Sequence, residues 1–357
     1  MNPDASPFLG TLLHAIGGLC AASFYVPYSR VKHWDWENYW LVGGVFSWLI
    51  VPWVVALVLV PATLSILGAA PLEPMFWTFT FGLLWGIGGL TYGLTVRFLG
   101  LALGNAVALG LCAFFGTMMP PLFNGKLFTM VGSLSGLVTL GGVFLAVTGI
   151  GLSGFAGRHK ERELSEEEKV SSIGTFTLWK GLAVAVVSGV MSACMAFSFA
   201  AGKPIGELAV ESGVPSMWQN LPVLVVALLG GLTSNVAYCV YLIVKNDNVD
   251  NYWTTETEEG RVPLALNYLF CAIAGAVWYF QFFFYGMGTT KMGEYEFSSW
   301  SLHMSSIIIF GTVWGVFVFK EWKGTSRRTH AWLAAGVLVL VLSMIIIGYG
   351  NHMAAAS

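Results

Sequence analysis

The sequence predicts an all-α polytopic membrane protein with ten transmembrane helices arranged as two inverted five-helix repeats. Three observations predict it. Ten apolar stretches, each long enough to cross a bilayer, fill most of the 357 residues. The chain is 56% hydrophobic and 10% charged, against about 25% charged in ordinary soluble domains. A sequence pattern also recurs across the two halves of the chain.

The predicted spans are 7–28, 39–60, 74–98, 101–122, 130–152, 178–201, 216–244, 264–288, 297–319 and 331–350. Helix is the reading because lipid forces each backbone group to pair within its own segment, and the runs are too uniform for barrel strands. Met1–Phe8 has no Lys or Arg, so the first stretch reads as a retained helix and not a cleavable signal. Spans 1–5 form an N-terminal repeat, 1–152. A cytoplasmic connector, 153–177, precedes a C-terminal repeat, 178–357.

Lys and Arg set the orientation. Connectors after odd-numbered spans hold fourteen of the seventeen, among them Arg30, Lys32, Arg97, Arg158, Lys245, Arg261 and Arg327. Only Lys126, Lys203 and Lys291 fall on the other side. Both termini are therefore expected outside, in the inner membrane of a bacterial-type cell.

The repeat is Trp85-x6-Tyr92-Gly93-x6-Gly100, matched by Trp278-x6-Tyr285-Gly286-x6-Gly293 at a constant offset. Five spans per unit put corresponding helices in opposite orientation, as in many secondary transporters with a midplane site between the repeats. Glycine is frequent, 43 residues, with pairs such as Gly82/Gly86 and Gly89/Gly93 spaced by four. These read as close helix packing or as flexible points for alternating access.

Polar groups inside spans are few and costly, so they are the candidates for function. His14 and His303 lie within spans, and imidazole titrates near neutral pH, which suits proton coupling. Glu37 is a third candidate, though a carboxylate at a helix start is also favoured by the helix dipole. His14, Gly17, Gly18, Ala21 and Tyr25 share one helix face, which fits either a cavity wall or a tight helix seam. Trp278, Gln281 and Tyr285 share another face. An indole plane with an amide one turn away suits a sugar, whose C–H groups stack while its hydroxyls hydrogen-bond. Asn105 and Asn235 are further polar contacts or interhelical glue. Trp34, Trp36, Trp40 and Trp322 read as interfacial-belt residues.

The five cysteines fall inside spans and read as packing residues. A charge of −2 points to no nucleic-acid partner. No P-loop, Ser/His/Asp arrangement, HExxH or Gly-rich strand-to-helix turn occurs, so no enzyme and no cofactor is expected beyond a coupling proton. No obligate protein partner is inferred; the partners are a small solute and the bilayer.

Several stretches resemble the L-rhamnose–proton symporter family. They are His14-Ala-Ile-Gly-Gly, Ser23-Phe-Tyr-Val-Pro-Tyr, Val31-Lys-His-Trp-Asp-Trp-Glu37, Ser47-Trp-Leu-Ile-Val-Pro-Trp53, Trp85-Gly-Ile-Gly88, Tyr92-Gly-Leu-Thr95, Trp278-Tyr-Phe-Gln-Phe-Phe-Phe-Tyr285 and Trp300-Ser-Leu-His-Met-Ser305. The resemblance implies the ten-helix fold of the drug/metabolite transporter superfamily. It also implies proton-driven uptake of a deoxyhexose, L-rhamnose first, with export or exchange of another small polar metabolite as the alternative. The substrate set is then Tyr25, Trp85, Tyr92, Asn105, Asn235, Trp278, Gln281, Tyr285 and Trp300. The chain departs from better-known members at Gly89 and Thr91, where they carry Asn, and at Asn105, where they carry an apolar residue.

Overall fold

The computed structural model describes residues 6–123, 125–163, 178–257, 260–320 and 322–356, without the side chains of 96, 97, 100–103, 105, 106, 178, 294 and 295. The predicted connector 153–177 is described only as far as Glu163; the rest of it lies outside the described residues, as does the side chain of Asn105.

Helices dominate, as an apolar chain in lipid requires. Eight helical segments among the described residues are long and apolar enough to cross a membrane: Pro7–Tyr28, Trp36–Leu59, Leu134–Glu163, Trp179–Glu211, Ser216–Asn246, Leu264–Thr289, Glu296–Val318 and Arg327–Ala356. The protein is a multi-pass membrane protein. Six predicted spans match these segments closely at one or both ends, and the tenth, 331–350, lies inside Arg327–Ala356, four residues short at its start and six at its end. The fifth, 130–152, starts four residues earlier and stops eleven residues short of Glu163. The fourth segment, Trp179–Glu211, carries span 6 on through a turn at Gly202 into the short helix Lys203–Glu211.

The third and fourth predicted spans are not separate. Leu72–Phe123 is one helix of 52 residues, about 78 Å at 1.5 Å per residue. Between 98 and 101 the chain offers no proline and no polar run. Gly100 alone costs a helix only about 1 kcal/mol, too little to end one.

Two segments widen into π turns, Phe46–Ile50 and Trp314–Val318. The first has a cause in the sequence. Pro52 has no N–H for the carbonyl of Trp48, so the ladder slips and Val51 N–H donates to Phe46 O, five residues back.

The chain forms two compact units. The first comprises Met1–Leu19, Ile87–Phe197 and Phe284–Ser357, and the second Cys20–Gly86 and Ser198–Phe283. Each draws on both halves of the sequence.

In the first unit, helices Leu134–Glu163 and Arg327–Ala356 pack along their lengths. Small residues let them close: a Cβ on Gly149 would lie 2.8 Å from Leu340 Cδ2, and one on Gly350 2.3 Å from Thr139 Oγ1. Glu163 caps the start of the last helix from outside, accepting from Ser326 N at 2.7 Å and Thr329 Oγ1 at 2.7 Å. Lys160 Nζ lies 5.0 Å above the Trp322 ring.

In the second unit, Leu72–Phe123 crosses Asn220–Asn246 at bare backbone. A Cβ on Gly82 would lie 2.0 Å from Ala227 O, and one on Gly230 2.1 Å from Phe79 O. Small residues at such crossings let helices approach closely without a hydrophobic driving force. Gly82/Gly86 is thus a packing pair, whereas Gly89 and Gly93 have nothing within 4 Å of an added Cβ.

Candidate functional site

The candidate residues gather in two clusters, one in each unit. The first is built on His14, Tyr285, Trp300 and His303. His14 comes from Pro7–Ser23, Tyr285 from Leu264–Thr289, and the other two from Ser299–Val313. Both imidazoles pack against one phenol: the Tyr285 ring lies 5.3 Å from His14 and 5.3 Å from His303, centroid to centroid. Trp300 stands edge-on to Tyr285 at 5.5 Å. Both histidines are fully buried.

Glycine makes room for this group. A Cβ on Gly288, one turn after Tyr285, would lie 2.7 Å from His14 Cε1. One on Gly18, a turn after His14, would lie 2.2 Å from Ser306 Cβ, a turn after His303. The two His-bearing helices therefore meet closely at the histidines. Residues Ser299 through Ser306 are all buried.

His14 Nδ1 and Nε2 are both buried with no hydrogen-bond partner. Leaving a buried polar group unmade costs about 1–3 kcal/mol, so this imidazole is held at a cost to stability. Trp300 is different. Its indole N–H donates to Cys112 O at 3.1 Å, and its ring covers Gly116. That locks it as a fixed wall.

The second cluster is aromatic. Trp278 lies 5.4 Å from Trp85, 5.6 Å from Trp48 and 5.3 Å from Phe282. Trp48 and Trp278 are perpendicular at 89°, and Trp85 meets Phe282 edge-on at 86°. Edge-to-face geometry brings the positive ring edge to the negative face. Trp85 and Trp278 are partly exposed, whereas Trp48 and Gln281 are buried. Gln281 lies one turn beyond Trp278 on the same helix.

Asn235 is engaged at both ends. Its Oδ1 accepts from Trp40 Nε1 at 3.0 Å and its Nδ2 donates to Gly231 O at 2.9 Å. It therefore orients Trp40 as helix glue does. Thr91 Oγ1 is turned back to the carbonyls of Ile87 and Gly88. Tyr25 is 47% exposed and packs on Phe24 and Tyr28. Tyr92 is half-buried in the first unit, and Gln281 and Trp278 belong to the second.

Glu37 sits in a third, polar group. Its Oε1 accepts from Asn246 Nδ2 at 2.6 Å and Asn248 Nδ2 at 2.7 Å. Beside it, Asp35 Oδ2 accepts from Asn248 and Asn251 at 3.0 Å each. Two carboxylates are thus fixed by asparagine amides, and the loop after Asn246 is pinned to the start of the Trp36–Val45 helix. Burial pushes the Tyr252 phenol in that loop up to about 12.

Trp34 and Trp40 make contacts within the protein. Trp34 is 7% exposed, edge-on to Tyr252 and Tyr268. Trp40 stacks on Trp36 at 5.3 Å and holds Asn235. All five cysteines are free thiols, four of them buried.

Sequence reasoning missed Trp48. It falls mid-span, far from either interface, four residues before a proline. That pairing marked both an out-of-place indole and a broken helix ladder.

Residues 4–355 match the model of the L-rhamnose-proton symport protein family. The chain belongs to this family. Its members are transporters, not enzymes. The chain is 40% identical over 346 residues to the L-rhamnose-proton symporter of Cronobacter sakazakii, covering 96% of this chain and 97% of that one. It is 38% identical over 343 residues to the L-rhamnose-proton symporters of Yersinia pestis and Yersinia pseudotuberculosis, at the same coverage.

Proposed function

We propose that the protein is a proton-coupled secondary transporter that imports a deoxyhexose, L-rhamnose first, across the inner membrane of a bacterial-type cell. The observation that carries this reading is near-full-length identity of 40% to a relative named for that activity. In it, His14 and His303 serve the proton, on either side of Tyr285. A titratable side chain inside a membrane span is costly to keep, which makes it a candidate for function by default. Trp85 and Trp278 offer the sugar its aromatic planes, with the Gln281 amide beside them. Glu37 falls behind the histidines, because two asparagine amides already fill its Oε1.

Coupling is reciprocal: a proton that raises sugar affinity must itself be bound more tightly in the presence of sugar. The reading includes ten spans in two inverted repeats of the drug/metabolite superfamily type, both termini outside. It rests on the Trp85/Tyr92/Gly93/Gly100 and Trp278/Tyr285/Gly286/Gly293 correspondence and requires the Leu72–Phe123 helix to break and reverse near Gly100 in the membrane. Gly100→Cys is then labelled from the cytoplasmic side only.

The central test is transport in cells or proteoliposomes. L-rhamnose added outside should make the external medium more alkaline as sugar and proton enter together. Verified protein that moves labelled L-rhamnose with no pH change refutes the coupling. Protein that moves no deoxyhexose refutes the substrate.

A further inference from the structure

We infer that the indole N–H of Trp48 and the side-chain amide of Gln281 are the donors that read the sugar's hydroxyls, with Trp48 a specificity-determining residue. This rests on the sugar-transport reading above. Trp48 is 3% exposed and Gln281 5%, yet Trp48 Nε1 and Gln281 Nε2 are buried without a hydrogen-bond partner. Both neighbour the same ring. Trp48 meets Trp278 edge-on at 5.6 Å, and Gln281 follows Trp278 by three residues on one helix face.

The unmet donors do not reflect general looseness. Within the same unit Trp40 Nε1 finds Asn235 at 3.0 Å and Asn235 Nδ2 finds Gly231 O at 2.9 Å. Trp34 Nε1 and Tyr279 Oη are also unpaired, but they lie in other aromatic groups, with Tyr252 and Tyr268 and with Phe280 and Phe283. Among the described residues, Trp48 and Gln281 combine an idle donor with ring contact to Trp278 or a place on its helix face, and Trp278 is partly open.

The backbone holds Trp48 deliberately. The π turn over Phe46–Ile50 carries it, and such turns concentrate at functional sites. Gly44 leaves the space it needs, since a Cβ there would lie 2.4 Å from Trp48 Cζ3. A 6-deoxyhexose offers matching chemistry: C–H groups and a methyl for the indole faces, and hydroxyl oxygens for two N–H donors. A site built on buried donors discriminates strongly against ligands that leave them unpaired.

The test is calorimetric titration of L-rhamnose into purified full-length protein and into Trp48→Phe and Gln281→Leu, with thermal unfolding of each ligand-free protein. Trp48→Phe keeps a ring and removes only the donor and some volume. Each variant is expected to raise Kd about tenfold. Ligand-free Gln281→Leu should unfold at the same temperature as the parent or higher, because an unpaired buried amide is gone. A merely structural amide would lower that temperature and leave Kd unchanged. If Trp48→Phe does not fold, Gln281→Leu decides. Kd within twofold of the parent in every folded variant overturns this inference alone. A parent protein that binds no L-rhamnose overturns the proposed function and this inference with it.

Discussion

The histidine cluster and the tryptophan cluster are both buried and both aromatic, yet their chemistries are opposite. Around Tyr285 stand two buried imidazoles, and the space is closed by glycine. Around Trp278 indoles supply surface, and the N–H groups of Trp48 and Gln281 stand without acceptors. A cotransporter must handle a charge and a polyol. Here the two chemistries are segregated: imidazoles cluster in the first unit, indoles and an idle amide in the second. Helix Leu264–Thr289 supplies Trp278 and Gln281 to one and Tyr285 to the other.

That contrast can be broken most sharply at His14. His14→Ala should abolish concentrative uptake, dropping the steady-state ratio of L-rhamnose inside to outside to about one, while counterflow of labelled sugar continues. If His14→Ala and His303→Ala both still concentrate sugar fully, the histidine cluster does not carry the proton and Glu37 is next.

A gentler break enters through packing. Gly288→Ala places a methyl against the His14 imidazole, and overpacking of this kind costs about 1–3 kcal/mol. Uptake should fall severalfold with a lower unfolding temperature, and L-rhamnose binding by calorimetry should change less than uptake. Equal losses in both would mean the clusters are not chemically distinct.

On the tryptophan side, Asn235→Leu leaves the Trp40 N–H without its acceptor, a cost of about 1–3 kcal/mol if it stays buried. The melting temperature should fall while sugar Kd moves by less than about threefold. A tenfold loss of affinity would make Asn235 a ligand contact and not an orienting residue.

The smallest effect is expected outside both clusters. Glu163→Ala removes the acceptor for Ser326 and Thr329, but that carboxylate is exposed. The unfolding temperature should drop by no more than a few degrees, with uptake near the parent level. Loss of transport there would show that capping the last helix matters to the cycle.

Much of the helical layout was legible because lipid tolerates little else. A long apolar run flanked by charges has one cheap conformation, so Leu178–Ala201 and Leu264–Thr289 could be placed almost to the residue. The 98–101 boundary was not. Lone Arg97 and Gly100 look like a connector in sequence, but neither obliges a helix to stop. The histidines stood out because a titratable group in a span is rare. Hydrogen-bond partners did not stand out. Nothing local says that Asn235 would hold Trp40, 195 positions away, or that Glu37 would meet Asn246 and Asn248. Those pairings are set by which helices pack, not by any short pattern.

The extra residue in the wide turn before Pro52 has a geometric corollary. One added position in a helix rotates everything upstream by about 100° relative to everything downstream. Removing a single residue between 46 and 50 would restore an ordinary winding, but it would swing Gly43 and Gly44 off the face they now present to Tyr28 and Trp48. Insertions and deletions within those five positions should therefore be tolerated far worse than substitutions. A deletion scan across residues 40–56 would display that as a narrow trough.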